Sequence, residues 1–271
     1  MAYYPEEDVL TPRDSHAQRA IRSGYTGPKN THGEPDTTGT DEIGVMIYPP
    51  NEHYVRYSGQ WKNGNFEGHG TVIFGSDNKD HAYTGGFKNG ELHGRGVYTF
   101  PDGQVLDGEF NHDKIVRGTH ISSGWTFQGA FVNGKMHKGR LIEDDGTEFE
   151  GTFETPTKRF GVFRYNGDVL SGTFDLDGGW ELNGYGEMIV NSMPVKFTYK
   201  GQFRNGVRHG KGTMNINGIT YSAEFNDDVE IKGTKRIIIP KRMNSESKKS
   251  GGARYERTRC RRKRLRSSKR R

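Results

Sequence analysis

A short pattern, aromatic–x–Gly–x–aromatic, returns along the chain at a nearly constant interval, and this recurrence limits the possible folds more than any other feature. Tyr57-Ser-Gly59-Gln-Trp61 is followed by Tyr83-Thr-Gly85-Gly-Phe87, Leu106-Asp-Gly108-Glu-Phe110 and Phe127-Gln-Gly129-Ala-Phe131. Phe149-Glu-Gly151-Thr-Phe153, Leu170-Ser-Gly172-Thr-Phe174, Tyr199-Lys-Gly201-Gln-Phe203 and Tyr221-Ser-Ala223-Glu-Phe225 continue the series. The central positions are 26, 23, 21, 22, 21, 29 and 22 residues apart. A fixed period of this length marks a repeat architecture in which each unit packs on its neighbours.

A second segment, Gly-x-apolar-x-apolar, lies between the members of the first. It reads Gly70-Thr-Val72-Ile-Phe74, Gly96-Val-Tyr98-Thr-Phe100, Gly161-Val-Phe163-Arg-Tyr165, Gly186-Glu-Met188-Ile-Val190 and Gly212-Thr-Met214-Asn-Ile216. Weaker copies begin at Gly118, Gly139 and Gly233, and an extra copy, Gly44 to Tyr48, precedes the first full unit as a cap. Both segments alternate with period two, the signature of half-buried strands. Asn-Gly at 63–64, 89–90, 133–134, 166–167, 183–184, 205–206 and 217–218, and Asp-Gly at 102–103, 145–146 and 177–178, predict tight hairpin turns between them. The expected fold is all-β: a single-layer antiparallel meander of about eight hairpin repeats over residues 41–240. Seventeen strands at about 4.8 Å each make a ribbon roughly 80 Å long. The mid-strand glycine is expected to let an aromatic ring from the adjacent strand lie flat across the backbone.

Composition agrees with a thin sheet. Leu, Ile, Val and Phe account for 51 of 271 residues, close to the level at which chains remain disordered, while Gly contributes 39. Such a chain cannot fill a multilayer α/β core. It has no apolar run long enough to span a bilayer, its first residues lack the layout of a secretory signal, and Cys260 is its only cysteine. These features lead us to expect an intracellular protein, cytoplasmic or membrane-associated, with the nucleus as the alternative.

The unit Tyr-x-Gly-x-Trp/Phe-x-x-Gly-x-x-x-Gly-x-Gly, present at Tyr57–Gly70, Tyr83–Gly96 and Tyr199–Gly212, resembles the MORN (membrane occupation and recognition nexus) repeat. The resemblance covers about 200 residues. It implies a protein-binding, membrane-associated scaffold. In that family the arrays accompany lysine methyltransferase and phosphoinositide kinase domains, for which the flanking residues here are too few; junctophilin-like tethers share the repeats but add a membrane span. The units at Gly108 and Gly151 lose the Gly-x-Gly pair and Lys138-Gly139 carries an extra residue, so irregular turns or bulges are expected there.

No catalytic arrangement emerges, and the expectation is a non-enzymatic protein without cofactor or metal. His69, His93 and His209 recur beside the glycine pairs, but successive repeats place them about 10 Å apart, too far to share an ion. The carboxylates of Glu143-Asp144-Asp145, Asp175 and Asp177 fall at turns. Gly68-His-Gly70 and Gly94-Arg-Gly96 open no helix and so form no phosphate loop. The aromatics are mostly explained by packing on glycine, although exposed members such as Trp61, Tyr98 and Phe163 could line a groove for a protein partner.

Beyond Pro240 the periodicity ends. Residues 241–271 hold 15 Lys and Arg against Glu246 and Glu256, a charge of +13, so the remainder of the chain carries −7. Like charges and scarce apolar residues keep such a tail disordered. Lys248, Lys249, Arg257, Arg259, Arg261, Arg262, Lys263, Arg264 and Arg266 are candidate ligands for phosphate, on an anionic phospholipid membrane or, alternatively, on nucleic acid in a nuclear or virion setting. Lys248-Lys249 and Arg261–Arg264 also resemble a bipartite nuclear import signal. Ser267 and Ser268 could weaken attachment when phosphorylated. Residues 1–40, rich in Gly and Pro, read as a disordered or loosely draped arm. The terminal strands Gly44–Tyr48 and Gly233–Ile239 could pair between chains as a homodimer, although Lys235 and Arg236 look like edge protection.

Overall fold

A computed structural model describes residues 24–49, 53–75, 81–177 and 179–239. Among them the regular structure is entirely β. The strands are β1 (Gly24–Thr26), β2 (Gly44–Ile47), β3 (Tyr54–Lys62), β4 (Asn65–Phe74), β5 (His81–Lys88) and β6 (Glu91–Thr99). They continue as β7 (Val105–Asn111), β8 (Lys114–Ser122), β9 (Trp125–Val132), β10 (Lys135–Glu143), β11 (Glu148–Phe153) and β12 (Lys158–Tyr165). The last are β13 (Asp168–Asp175), β14 (Glu181–Val190), β15 (Phe197–Arg204), β16 (Val207–Ile216), β17 (Ile219–Asn226), β18 (Val229–Glu230) and β19 (Arg236–Ile237). From β1 to β17 each strand pairs antiparallel with the next, and β18 and β19 both lie on β17. The predicted hairpin meander is the observed fold.

The register lines up the glycines. Gly44, Gly59, Gly70, Gly85, Gly96 and Gly108 are direct cross-strand partners in turn. The row runs on through Gly118, Gly129, Gly139, Gly151 and Gly161 to Gly172. It resumes at Gly186, Gly201 and Gly212 and ends at Ala223. Ring packing requires this ladder. Tyr57 lays its ring over Gly59 of its own strand and Gly70 of the next: a Cβ on Gly59 would lie 2.6 Å from the Tyr57 hydroxyl, and one on Gly70 within 2.8 Å of ring carbons. Tyr83 covers Gly85 and Gly96 in the same way, and Tyr199 covers Gly201 and Gly212. Each of these tyrosines donates its hydroxyl to a carbonyl three residues on: Tyr57 to Gln60 at 2.8 Å, Tyr83 to Gly86 at 3.0 Å and Tyr199 to Gln202 at 3.1 Å. Phe127 and Phe149 make the same cover without the hydroxyl. The ring thus comes from the adjacent strand, as the sequence suggested, for Gly70, Gly96, Gly139, Gly161 and Gly212, and it also covers the glycine two residues on in its own strand.

Edge-on rings complete the layer. Trp61 meets Tyr57 at 5.0 Å and 87°, and Phe87 of the following unit meets it at 5.3 Å and 89°. Residues four apart on a strand are separated by about 13 Å; the rings meet because the glycine between them lets both lean over it. Tyr83, Phe127 and Tyr199 are flanked likewise, by Phe87 and Phe110, Phe131 and Phe153, and Phe203 and Phe225. Each such pair adds about 0.5–1.5 kcal/mol to area burial. The series is interrupted where Leu106 and Leu170 replace the flat ring. At the second of these, Leu182 fills the space, 2.7 Å from a Cβ built on Gly172.

Bulges fall differently from expectation. In the most regular units three residues oppose one: Glu67, Gly68 and His69 face Gln60, with Gly68 left-handed at φ 63°, and the same happens around Gly94 and Gly210. Two extra residues keep the period-two alternation, so both ends of the strand still face the core. The units at Gly108 and Lys138 do carry the expected irregularity, as single extra residues Val116 and His137. The unit at Gly151 pairs without interruption. Six of the seven Asn-Gly pairs form turns with both residues at positive φ, as at Asn63 and Gly64. Asn183-Gly184 does not; it lies inside β14, where Gly184 is the left-handed residue of another three-to-one bulge. His112-Asp113 and Asp227-Asp228 form the same kind of turn without glycine. There the second aspartate accepts a backbone N–H from the preceding hairpin, Leu92 at 2.8 Å and Arg208 at 2.9 Å.

Residues 24–40 correct the predicted arm, whose boundary at residue 40 is too late. β1 pairs with β2, the Tyr25 ring stands edge-on to Trp61 at 5.4 Å, and Thr37 exchanges backbone and hydroxyl hydrogen bonds with Trp61. The Pro35 carbonyl accepts from Gly64 N–H as the Phe66 carbonyl accepts from Gly90 N–H, so this segment substitutes for the hairpin that the first unit lacks. Residues 1–23 lie outside the described residues. Gly44–Ile47, paired on both sides, is no free edge for a homodimer; at the other end β19 covers β17 only at Tyr221 and Ser222.

Two outcomes follow for stability. Gly96→Ala should lower the urea unfolding free energy by about 1–3 kcal/mol, because the methyl group must displace the Tyr83 ring, whereas Thr84→Ala on the opposite face, which loses only the exposed hydrogen bond to Thr71, should lower it by about 0.2–1 kcal/mol. The second concerns His120, which faces the ring layer between Leu106 and Phe127, bonds Gln104 at 2.8 Å and is held neutral by burial, its pKa pushed down to about 4. An unfolded histidine titrates near 6.5, so the stability owed to neutral His120 is complete above that pH and lost as pH falls to about 4. Burial acts oppositely on Asp113, raised to about 6, whose ionisation costs stability as pH rises through that range. The comparison of His120→Leu with the parent isolates the histidine: the variant should lose up to about 3 kcal/mol less between pH 7 and pH 4 in urea titrations.

Candidate partner-binding surface

The ring layer occupies one face of the sheet, and period-two alternation sends the residues beside each ladder glycine to the other, the outer face. On every even-numbered strand from β4 to β16 the residue just before the ladder glycine is exposed: His69, Arg95, Arg117, Lys138, Phe160, Tyr185 and Lys211. Apart from Gln202 opposite Tyr185, their partners on the odd-numbered strands are short or of opposite charge. Glu109 lies between Arg95 and Arg117, Ala130 between Arg117 and Lys138, Thr152 between Lys138 and Phe160, and Thr173 beyond Phe160. The row therefore presents one cation or aromatic ring about every 9.6 Å, two strand spacings.

Across β6–β10 this row borders a trough of about 560 Å³. Gly108, Gly118 and Gly129 form its floor, Arg95, Arg117 and Lys138 with Glu109 and Ala130 one side, and Asp107, Thr119 and Gln128 the other. Its position follows from the bulges. In the units at Gly59 and Gly201 a glutamine side chain fills the outer face at the bulge: Gln60 accepts from His69 N–H at 2.7 Å, and Gln202 from Lys211 N–H at 3.2 Å. The single-residue bulges of β8 and β10 leave Glu109 and Ala130 at that place, and the glycine backbone stays open. Arg95 pairs with Asp107 at 3.6 Å, while Arg117 and Lys138 form no ion pair among the described residues. Two cations over a bare backbone floor suit carboxylate or phosphate groups of an extended ligand.

The residues predicted to line a groove lie elsewhere. Trp61 and Tyr98 are 1% and 4% exposed and belong to the ring layer, because their strand positions share the parity of the ladder glycine. Phe163 is half-buried, 4.8 Å from Trp180 and 6.0 Å from Phe174. None of the three is available as a groove. Lys248, Lys249, Arg257, Arg259, Arg261, Arg262, Lys263, Arg264 and Arg266 lie outside the described residues. Of the histidines, His69 and His137 are exposed, His93 stands 6.4 Å from His112, and His209 lies 3.5 Å from Asp227. Among the described residues no three His, Cys, Asp or Glu side chains converge on a metal position. The outer row was readable in the sequence as the residue before the ladder glycine of each Gly-x-apolar-x-apolar segment; attention to the rings alone passed over it.

The MORN repeat family model matches the chain at residues 57–79, 83–105, 127–137 and 199–215. Each matched stretch begins at a ring that lies flat over a glycine pair, although Gly139, the second glycine under Phe127, falls just beyond its match; the units led by Leu106, Phe149 and Leu170 lie outside the matches. No curated protein sequence matches the chain.

The placement of Trp61 has a direct test. Trp61→Ala should lower the unfolding free energy by about 3–5 kcal/mol, the cost of an emptied aromatic site, while Phe160→Ser, on the outer face, should leave it within about 0.5 kcal/mol. Equal effects in thermal or urea unfolding would contradict the assignment of the two faces.

Proposed function

We propose that this chain, which carries MORN repeats, is a non-enzymatic scaffold: its ribbon holds a protein partner on the outer face, and its basic tail attaches it to an anionic phospholipid membrane. MORN repeats point to a protein- or membrane-binding protein, and such proteins are generally binding modules rather than catalysts. The observation that carries the reading is the division of the chain into residues 1–240, which hold the repeats and carry −7, and a tail of +13. Near an anionic membrane each basic residue contributes about 1 kcal/mol. The body supports the scaffold half of the reading, because its trough offers two cations without an ion pair among the described residues over an open backbone floor. The cellular place that goes with this reading is the cytoplasmic side of a membrane.

Flotation with phosphatidylserine vesicles tests the attachment. Replacing Arg261, Arg262, Lys263 and Arg264 together by Ser in the full chain should weaken vesicle binding by roughly 10³-fold, the sum of four such contributions, and leave the unfolding midpoint unchanged. Undiminished vesicle binding would sink the membrane reading. The arginine-rich composition of the tail also suits nucleic-acid phosphates. Binding to single-stranded DNA that outlasts vesicle binding as salt is raised, with a log–log slope of about −0.7 per phosphate, would move the tail to the nucleic-acid reading.

A further inference from the structure

We propose that the outer face docks an acidic polypeptide in polyproline II conformation, lying along the ribbon and across its strands. The inference rests on the outer face being the partner surface and names the occupant. The interior strands have both edges paired, so a partner cannot join them as another strand and must be read through side chains. The row offers one reading side chain about every 9.6 Å. A polyproline II chain has three residues per turn and a rise of 3.1 Å, so every third side chain returns to the same face after about 9.3 Å. The two periods stay in step along the cationic stretch and into the aromatic one.

Charge and ring positions then order the ligand. Carboxylates at every third position meet Arg117 and Lys138, which have no ion pair among the described residues, with the 560 Å³ trough giving them room beside the Ala130 methyl group. Arg95, already paired with Asp107, contributes less. Farther along the ribbon, Phe160 and Tyr185 stand 56% and 65% exposed. Exposed rings are the surfaces on which proline-rich helices dock. A continuous phosphate backbone fits less well, because Asp107 and Glu109 line the same trough and would repel it, whereas carboxylates three residues apart in the segment over the trough fall opposite the cations, and prolines take those positions opposite the rings.

The test uses the full-length chain carrying the four Ser replacements in the tail, so that tail attraction is reduced equally throughout. Fluorescence anisotropy is measured with a labelled peptide of three Pro-Pro-Glu triplets followed by three Pro-Pro-Pro triplets, with an isomer in which the three Glu form one block, and with oligothymidylate of equal length. The periodic peptide should bind more tightly than the blocked one. Arg117→Glu with Lys138→Glu, and separately Phe160→Ser with Tyr185→Ser, should each weaken it by about tenfold or more with unfolding midpoints unchanged. If both row variants bind the peptides as the parent does, the outer face is not the partner surface and the inference falls with that reading. If the row variants weaken both peptides but the two bind equally, the face stands and the polyproline occupant is overturned. Tighter binding of oligothymidylate, lost in the same variants, would overturn the peptide in favour of nucleic acid. None of these outcomes bears on vesicle attachment, which is measured separately.

Discussion

A ring laid flat across two glycines holds this protein together. A single-layer sheet has no second layer against which to bury apolar surface, and a chain so poor in aliphatic residues could not supply one. Tyr57, Tyr83, Phe127, Phe149 and Tyr199 remove both requirements by packing on backbone. Each ring covers a glycine of its own strand and one of the next, while edge-on rings from its own strand and the following unit close its flanks. The glycine ladder from Gly44 to Gly212 is the footprint of that packing across successive strands. Where the flat ring is missing, the ladder persists at Leu106 (Gly108 opposite Gly118) but breaks at Leu170, between Gly172 and Gly186, and resumes on the next strand pair.

The same packing produces the opposite face. Because the rings that cover the ladder and their edge-on neighbours are committed to one side, the other side carries only what alternation places there, and the residue before each ladder glycine is free to vary without disturbing the core. That freedom is used unevenly: cations in the first half of the ribbon, Phe160 and Tyr185 later, Lys211 beyond them. The trough arises where single-residue bulges replace the three-to-one bulges and no glutamine fills the outer face. Packing on one face thereby sets the depth and chemistry of the other.

Much of this was legible in the residues. The alternation of Tyr57, Gly59 and Trp61, the Asn-Gly turns and the interval between units fixed the strand order, and Asn63, Asn89, Asn133, Asn166, Asn205 and Asn217 adopt the backbone that such turns require. The failures are local. Asn183-Gly184 has the composition of a turn but sits in a strand, because a left-handed glycine serves a bulge as readily as a turn. Trp61 and Tyr98, expected to line a groove, are covered by rings of their own and neighbouring strands, contacts that alternation along one strand does not reveal. Residues 24–40 look like a polar arm, since their cap is made of backbone hydrogen bonds and one ring contact rather than of an apolar pattern.

The sequence by itself determined the repeat, the strand parity and the separation of a glycine-rich body from a polycationic end, because each is written in one dimension as period or charge. Only the tertiary structure decided which rings are buried, that the glycines form one uninterrupted row over most of its length, and that Arg117 and Lys138 share a trough. Those properties depend on how many extra residues each bulge contains. One extra residue and two look almost alike in a sequence, but they place the following side chains differently against the neighbouring strand.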